Sequence, residues 1–220
     1  MRTHLHRLGY KINRKHVQRL MRLMGLEAIY PKPRTSRPHP EHKVYPYLLK
    51  DLAIEQPNQV WAADITYVPM ARGFMYLVAF MDWHSRKVLS FKLSNTLDAN
   101  FCVDALNEAL DRYGPPQIFN TDQGVQFTSK DFIQTLESNG IRVSMDGRRR
   151  VQDNIFIERL WWTVKHHYLY LHAFDNGSQL RTGLKQWFKF YNSQRFHQSL
   201  DNMTPDEVYY DLSSPLAKVA

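Results

Sequence analysis

Residues 60–145 carry the pattern that most constrains the fold. Three apolar runs, Val60–Val68, Phe74–Met81 and Lys87–Leu93, follow one another across short turns at 71–73 and 82–86. Connections that short allow only hairpins, so the three runs predict an antiparallel meander. A helical period takes over from Asp98 to Tyr113, with Cys102, Ala105, Leu106, Ala109 and Tyr113 on one stripe and Gly114-Pro115-Pro116 ending it. Gln117–Thr121 then reads as a fourth strand, Ser129–Ser138 as a helix stopped at Gly140, Ile141–Ser144 as a fifth strand and Asn154–His172 as one long helix. Residues 178–192 and 204–211 supply C-terminal helices.

Three antiparallel strands followed by helix, strand, helix, strand and helix is the order of a ribonuclease-H-like α/β fold. It predicts a five-stranded mixed sheet flanked by helices, with the first and fourth strands parallel through a right-handed crossover. Ahead of it, Asn13 can cap a helix that runs to Met24 and stops at Gly25. Val17, Leu20, Met21 and Met24 form its apolar stripe, Arg14, Lys15, Arg19 and Arg22 decorate it, and the stretch around Leu5–Leu8 reads as the end of another helix. Tyr30–Pro40 holds four prolines and three basic residues and reads as an extended linker. The organisation expected is therefore a partial helix-turn-helix-like segment over 1–29, a basic Pro-rich linker over 30–55, the α/β body over 56–172 and its C-terminal helical extension over 173–220.

Charge narrows the partner. Residues 1–50 carry 12 Lys/Arg against two acids, whereas the rest of the chain is nearly neutral. A basic arm on a neutral body suits a polyanion, and nucleic acid fits better than a membrane because no basic helix has a bulky apolar face. With 43% hydrophobic and 13% aromatic residues, the 220-residue chain can bury a proper core. The single cysteine, Cys102, excludes an internal disulfide and any multi-cysteine zinc site, and His4/His6 or His166/His167 lack the spacing for a tetrahedral one. No run reaches the ~20 apolar residues of a membrane span. With no apolar stretch at the N-terminus either, the chain reads as soluble and cytoplasmic.

Three acids stand in costly places. Asp64 interrupts the apolar strand Val60–Val68, where it needs a partner, a metal or a raised pKa. Asp122 falls at the C-terminal end of the fourth strand, the edge at which α/β sheets bind ligands, although an Asp there also suits a turn. Glu158 borders the stripe Ile157, Leu160, Trp161, Val164, Tyr168 and Leu171, with Lys165 two turns on and Trp162 adjacent. Two aspartates and one glutamate make an oxygen-rich site for Mg²⁺ or Mn²⁺, and two such ions can activate a water or 3′-hydroxyl and stabilise a leaving 3′-oxygen. Arg148, Arg149 and Arg150 and the basic arm are candidates to grip the DNA backbone. Arg195 and His197 read as DNA or helix-packing contacts, and Trp61, Trp161 and Trp187 as core. No nucleotide-binding or Ser-hydrolase motif occurs. A glycosidase reading of the acids leaves the basic residues without a role.

Trp61-Ala62-Ala63-Asp64-Ile65-Thr66-Tyr67, Asn120-Thr121-Asp122-Gln123-Gly124, Ser144-Met145-Asp146-Gly147 and Asp153–Trp161 together resemble the integrase core of bacterial insertion-sequence transposases, of the IS-three type. Tyr191–Leu200 with Thr204-Pro205 is similar to that family's closing motif, and 35 residues separate Asp122 from Glu158, as in the family. The resemblance implies a metal-dependent enzyme that cuts one strand at each element end and joins its 3′-hydroxyl to another phosphodiester. Asp64, Asp122 and Glu158 would be both catalytic residues and ligands of Mg²⁺ or Mn²⁺, with two ions expected. It also implies DNA contacts from Arg14, Lys15, Arg159 and Lys165, and assembly on element ends as at least a dimer. Phe196 stands where the family commonly has Pro, and His166-His167 where it has Tyr-Glu. Family members run further at the N-terminus, so the chain is expected to begin inside the helix-turn-helix unit. A non-catalytic DNA-binding protein that occupies element ends is the alternative expectation.

Overall fold

The computed structural model describes residues 1–26, 45–146 and 154–212, and divides the chain into two units, Met1–Glu41 and His42–Ala220. Residues 31–40 of the Pro-rich stretch, and Arg148, Arg149 and Arg150, lie outside the described residues.

The first unit contains α1 (Arg2–Arg7) and α2 (Arg14–Leu23). Asn13 caps α2 as its position predicts, its side-chain oxygen accepting from the His16 N–H at 2.8 Å. The apolar stripe is only partly used: Val17 is buried, but Leu20 and Met24 are exposed. Arg14 and Lys15 are exposed on the first turn.

The second unit is built on β1 (Val60–Pro69), β2 (Phe74–Asp82), β3 (Val88–Ser94), β4 (Ile118–Thr121) and β5 (Arg142–Met145), in the sheet order β3-β2-β1-β4-β5. β1–β2 and β2–β3 are antiparallel, while β1–β4 and β4–β5 are parallel. This is the mixed five-stranded sheet that the run of elements predicts. Between and around the strands lie α3 (Asn100–Tyr113), α4 (Lys130–Ser138), α5 (Ile155–His167), α6 (Gly177–Ser193) and α7 (Pro205–Tyr209).

Strand alternation divides the core into layers. Trp61, Ala63, Val78, Phe80 and Phe119 pack under α3 and α4 with Ala105, Leu106, Phe132 and Leu136. Leu77, Ala79, Met81 and Val68 pack on the opposite face against Ile157, Leu160, Trp161 and Val164 of α5 and Leu184, Trp187 and Phe188 of α6. Trp61, Trp161 and Trp187 are core residues, as expected. Residues 47–54 join this body: Leu49 is buried among Val60, Ala62, Trp83 and Ile118.

One helix is shorter than its apolar period predicts. The stripe continues in the sequence to Leu171, but α5 ends at His167 because Tyr168 leaves helical geometry (φ −141°, ψ −64°), and a single 3₁₀ turn follows over Leu169–Leu171. The break turns Leu169 into the apolar layer beside Phe174 and Trp187 and leaves Leu171 70% exposed.

Candidate active site

The parity of β1 places Asp64 on the same side as Val68, the face covered by α5. Ala79, opposite it on β2, is too small to cover the carboxylate. Its oxygens are held separately: Trp161 Nε1–H donates to Oδ2 at 2.9 Å, and the Ile65 N–H to Oδ1 at 2.8 Å. Burial raises the Asp64 pKa to about 6. Those two hydrogen bonds pull it down, and the negative charges of Asp122 and Glu158 push it up. The three acids therefore share one electrostatic neighbourhood.

Parallel pairing explains how Asp122 arrives there. Val60 lies beside Ile118 and Ala62 beside Asn120, and two residues further along each chain are Asp64 and Asp122. Neighbouring strands run about 4.8 Å apart. The surrounding protein strips water from the Asp122 carboxyl and raises its pKa, while the Gly124 N–H, 2.9 Å from Oδ1, opposes the shift. A Cβ on Gly124 would stand 2.8 Å from that oxygen. Gly124→Ala is therefore expected to push the Asp122 carboxylate out of place and lower strand joining roughly tenfold or more, with the melting temperature little changed. Joining rates and thermal melts on one preparation check this.

A buried polar chain fixes the β4–β5 end. Ser144 Oγ donates to Asn120 Oδ1, and Asn120 Nδ2 donates to Asp146 Oδ1, each at 2.8 Å. Glu158 sits exposed on the first turn of α5, beside the buried Ile157 and Trp161. The start of that helix is pinned from the β2–β3 turn, where the Arg86 guanidinium lies 3.1 Å from the centre of the Phe156 ring and Trp83 meets the same ring edge-on. The sequence gives no sign of the Arg86–Phe156 contact or of the Trp161–Asp64 hydrogen bond, because Arg86 looks like a hairpin residue and Trp161 like simple core.

Among the described residues, no three of His, Cys, Asp and Glu stand close enough together to hold one ion. Asp64 faces Trp161 and Asp122 faces Gly124. The donor set still fits a divalent cation: carboxylate oxygens are hard ligands, and a cation would offset the burial, and the lesser repulsion, that raise Asp64. Thr121 Oγ1 and Asn154 Oδ1, flanking Asp122 and the start of α5, are buried without a hydrogen-bond partner.

The expected DNA contacts are scattered. Lys165 is half-buried on α5, and Arg159 is exposed with its guanidinium 5.1 Å from the Trp162 ring. Arg195 and His197 pack on each other at 3.2 Å, with His197 edge-on to Tyr191. Burial, Arg195 and Arg86 hold His197 down to about 4, so it is neutral at pH 7. Cys102 is buried and its thiol is pushed up to about 12.

Comparison with known proteins agrees with this fold. The integrase core domain family matches residues 54–150, a second integrase core domain family matches 139–205, and an HTH-like domain matches 1–34. The chain is 30% identical over 207 residues to a putative transposase, InsK, of insertion sequence IS150 from Escherichia coli K12, covering 92% of this chain and 73% of that protein. It is likewise 30% identical over 211 residues to the IS904 transposase of Lactococcus lactis, covering 92% and 83%. The HTLV-2 integrase catalytic core, solved in complex with magnesium, superposes with a TM-score of 0.57 at 20% identity, over 70% of this chain and 97% of that one. A chain of the simian T-cell lymphotropic virus intasome, solved in complex with PP2A regulatory subunit B56 gamma, does so with a TM-score of 0.61 at 19% identity, over 81% and 62%. Both share the ribonuclease-H-like fold of this chain.

Proposed function

The chain belongs to the insertion-sequence transposases with an integrase core, and we propose that Asp64, Asp122 and Glu158 are its catalytic residues. Its function is DNA transposition and integration, and its chemistry is that of a polynucleotidyl transferase. The observation that supports the site assignment is geometric: β1 and β4 pair in parallel and bring Asp64 and Asp122 to matching positions of neighbouring strands, and Trp161 ties Asp64 to α5, the helix that carries Glu158.

In this reading the three carboxylates hold two divalent cations, Mg²⁺ or Mn²⁺. When bound, these supply positive charge to the scissile phosphate and acidify the attacking water or 3′-hydroxyl. The chain's own groups set the geometry. Trp161 orients Asp64, Gly124 orients Asp122, and Arg86 on Phe156 fixes the start of the helix that carries Glu158. Cleavage forms a bond from water oxygen to phosphorus and breaks the P–O3′ bond, and the freed 3′-hydroxyl takes a proton. Joining repeats the displacement with that 3′-hydroxyl as nucleophile on a second phosphodiester, so no high-energy cofactor is consumed. Arg14, Lys15, Arg159, Lys165 and Arg148–Arg150 are cations suited to phosphate contacts. Arg195 and His197 belong to the packing of the C-terminal segment. Because two element ends must be held together, at least two copies assemble on DNA.

The test is joining of a pre-cleaved element end to target DNA by this chain. Products with Mg²⁺ or Mn²⁺ and none in chelator are expected; joining in chelator would contradict the reading.

A further inference from the structure

We propose that the exposed edge of α5 leading away from Glu158 is a stacking platform for unpaired DNA bases, built by Trp162, His166 and Tyr170. It rests on the reading above in taking Glu158 to mark the site of strand cleavage.

Glu158, Trp162, His166 and Tyr170 recur every four residues. Four residues advance a helix by about 6 Å and return it to nearly the same side, so ring follows ring down one edge. The Trp162 and His166 rings stack, with centroids 4.6 Å apart and planes 21° apart. Tyr170 continues the row from the turn after α5, its ring 5.3 Å from His166 and edge-on to it. His166 Nδ1–H donates to the Trp162 carbonyl at 2.9 Å, which holds the imidazole against the indole. Trp162 is 46% and Tyr170 57% exposed. A contiguous aromatic row left in water marks an interaction surface.

Charge selects the partner. From Ile155 to His172 the only acid is Glu158, while Arg159 and Lys165 are cations on the same helix. The Arg159 guanidinium already lies over Trp162. Exposed aromatic rings beside cations suit a polyanion that carries flat rings of its own, which is a single strand of nucleic acid. Duplex DNA keeps its base faces inside the stack. The platform therefore takes strand segments that have come unpaired, such as a frayed end beside a cut.

The test is fluorescence anisotropy in chelator with a labelled mixed-sequence single strand, and with the same sequence as a blunt duplex. Trp162→Ala is expected to weaken single-strand binding about tenfold, Trp162→Phe to retain most of it, and duplex binding, held by phosphate contacts, to change little. Single-strand affinity equal to the parent's in Trp162→Ala would overturn the proposal. So would an unchanged affinity together with an altered oligomeric state in sedimentation, which would make this edge a contact between copies. Chelator keeps the chemistry out of the readout. If the parent joins no strands yet Trp162→Ala loses single-strand affinity, the catalytic reading fails and the platform stands; joining by the parent with no effect of Trp162→Ala removes the platform alone.

Discussion

Asp64→Asn is expected to abolish strand joining and, in chelator, to stabilise the protein at neutral pH. Removing one oxygen ligand from a shared cation site should lower joining by roughly a thousandfold or more, and Glu158→Gln should do the same. The stability gain follows from the raised pKa of about 6. A carboxyl whose pKa is higher folded than unfolded contributes its full stability below the unfolded value and loses it as pH rises through the folded one. The parent should therefore lose about 1–3 kcal/mol between roughly pH 4 and pH 7, and the Asn variant should not. Denaturant melts at pH 4 and pH 7.5 read this directly, with curves that converge at the lower pH. Adding Mg²⁺ should close the gap from the other side, because cation binding stabilises only the protein that keeps its ligands. A variant no more stable than the parent at pH 7.5 in chelator would mean that the buried charge of Asp64 is already compensated.

The second large effect is expected at Trp161, which is both core and donor to Asp64. Trp161→Ala opens a cavity beneath α5 and should cost about 3–5 kcal/mol, a large part of the total stability of a domain this size. Trp161→Phe keeps most of the packing and removes the donor. The hydrogen bond lowers the Asp64 pKa, so its loss should raise it further. A more basic Asp64 competes with cation for a proton. The Phe variant should therefore need several-fold more Mn²⁺ for half-maximal joining at pH 6.5, with the difference shrinking by pH 8.5. Titrations at the two pH values check this; the same shift at both would assign the effect to misplaced packing.

The sheet was legible because its strands alternate and its turns are short. Val60–Val68 and Phe74–Met81 leave no connection but a hairpin, and the observed register from Trp61–Asp82 to Pro69–Phe74 follows. Asp64 and Asp122 stood out because a carboxylate in an apolar strand, or at the end of one, has few structural excuses. Helix ends were harder. The 3.6-residue period runs past His167 to Leu171, and nothing local marks Tyr168 as the break, because what decides it is the burial of Leu169 and Phe174 against Trp187. Contacts from distant segments were invisible for the same reason. That Trp161 aims its N–H at Asp64, 97 residues away, or that Arg86 lies on Phe156, depends on packing rather than on pattern. Trp162 read as a neighbour of a candidate acid and His166 as half of a pair without zinc spacing, and only their stacked rings give the two a joint meaning.

The central claim is that Asp64, Asp122 and Glu158 come together to share divalent cations. Anomalous diffraction from crystals soaked in Mn²⁺ tests it most directly. The account predicts manganese held by Asp64, Asp122 and Glu158, with Asp64 still accepting from Trp161. Manganese bound elsewhere, or none at these three acids, would contradict it.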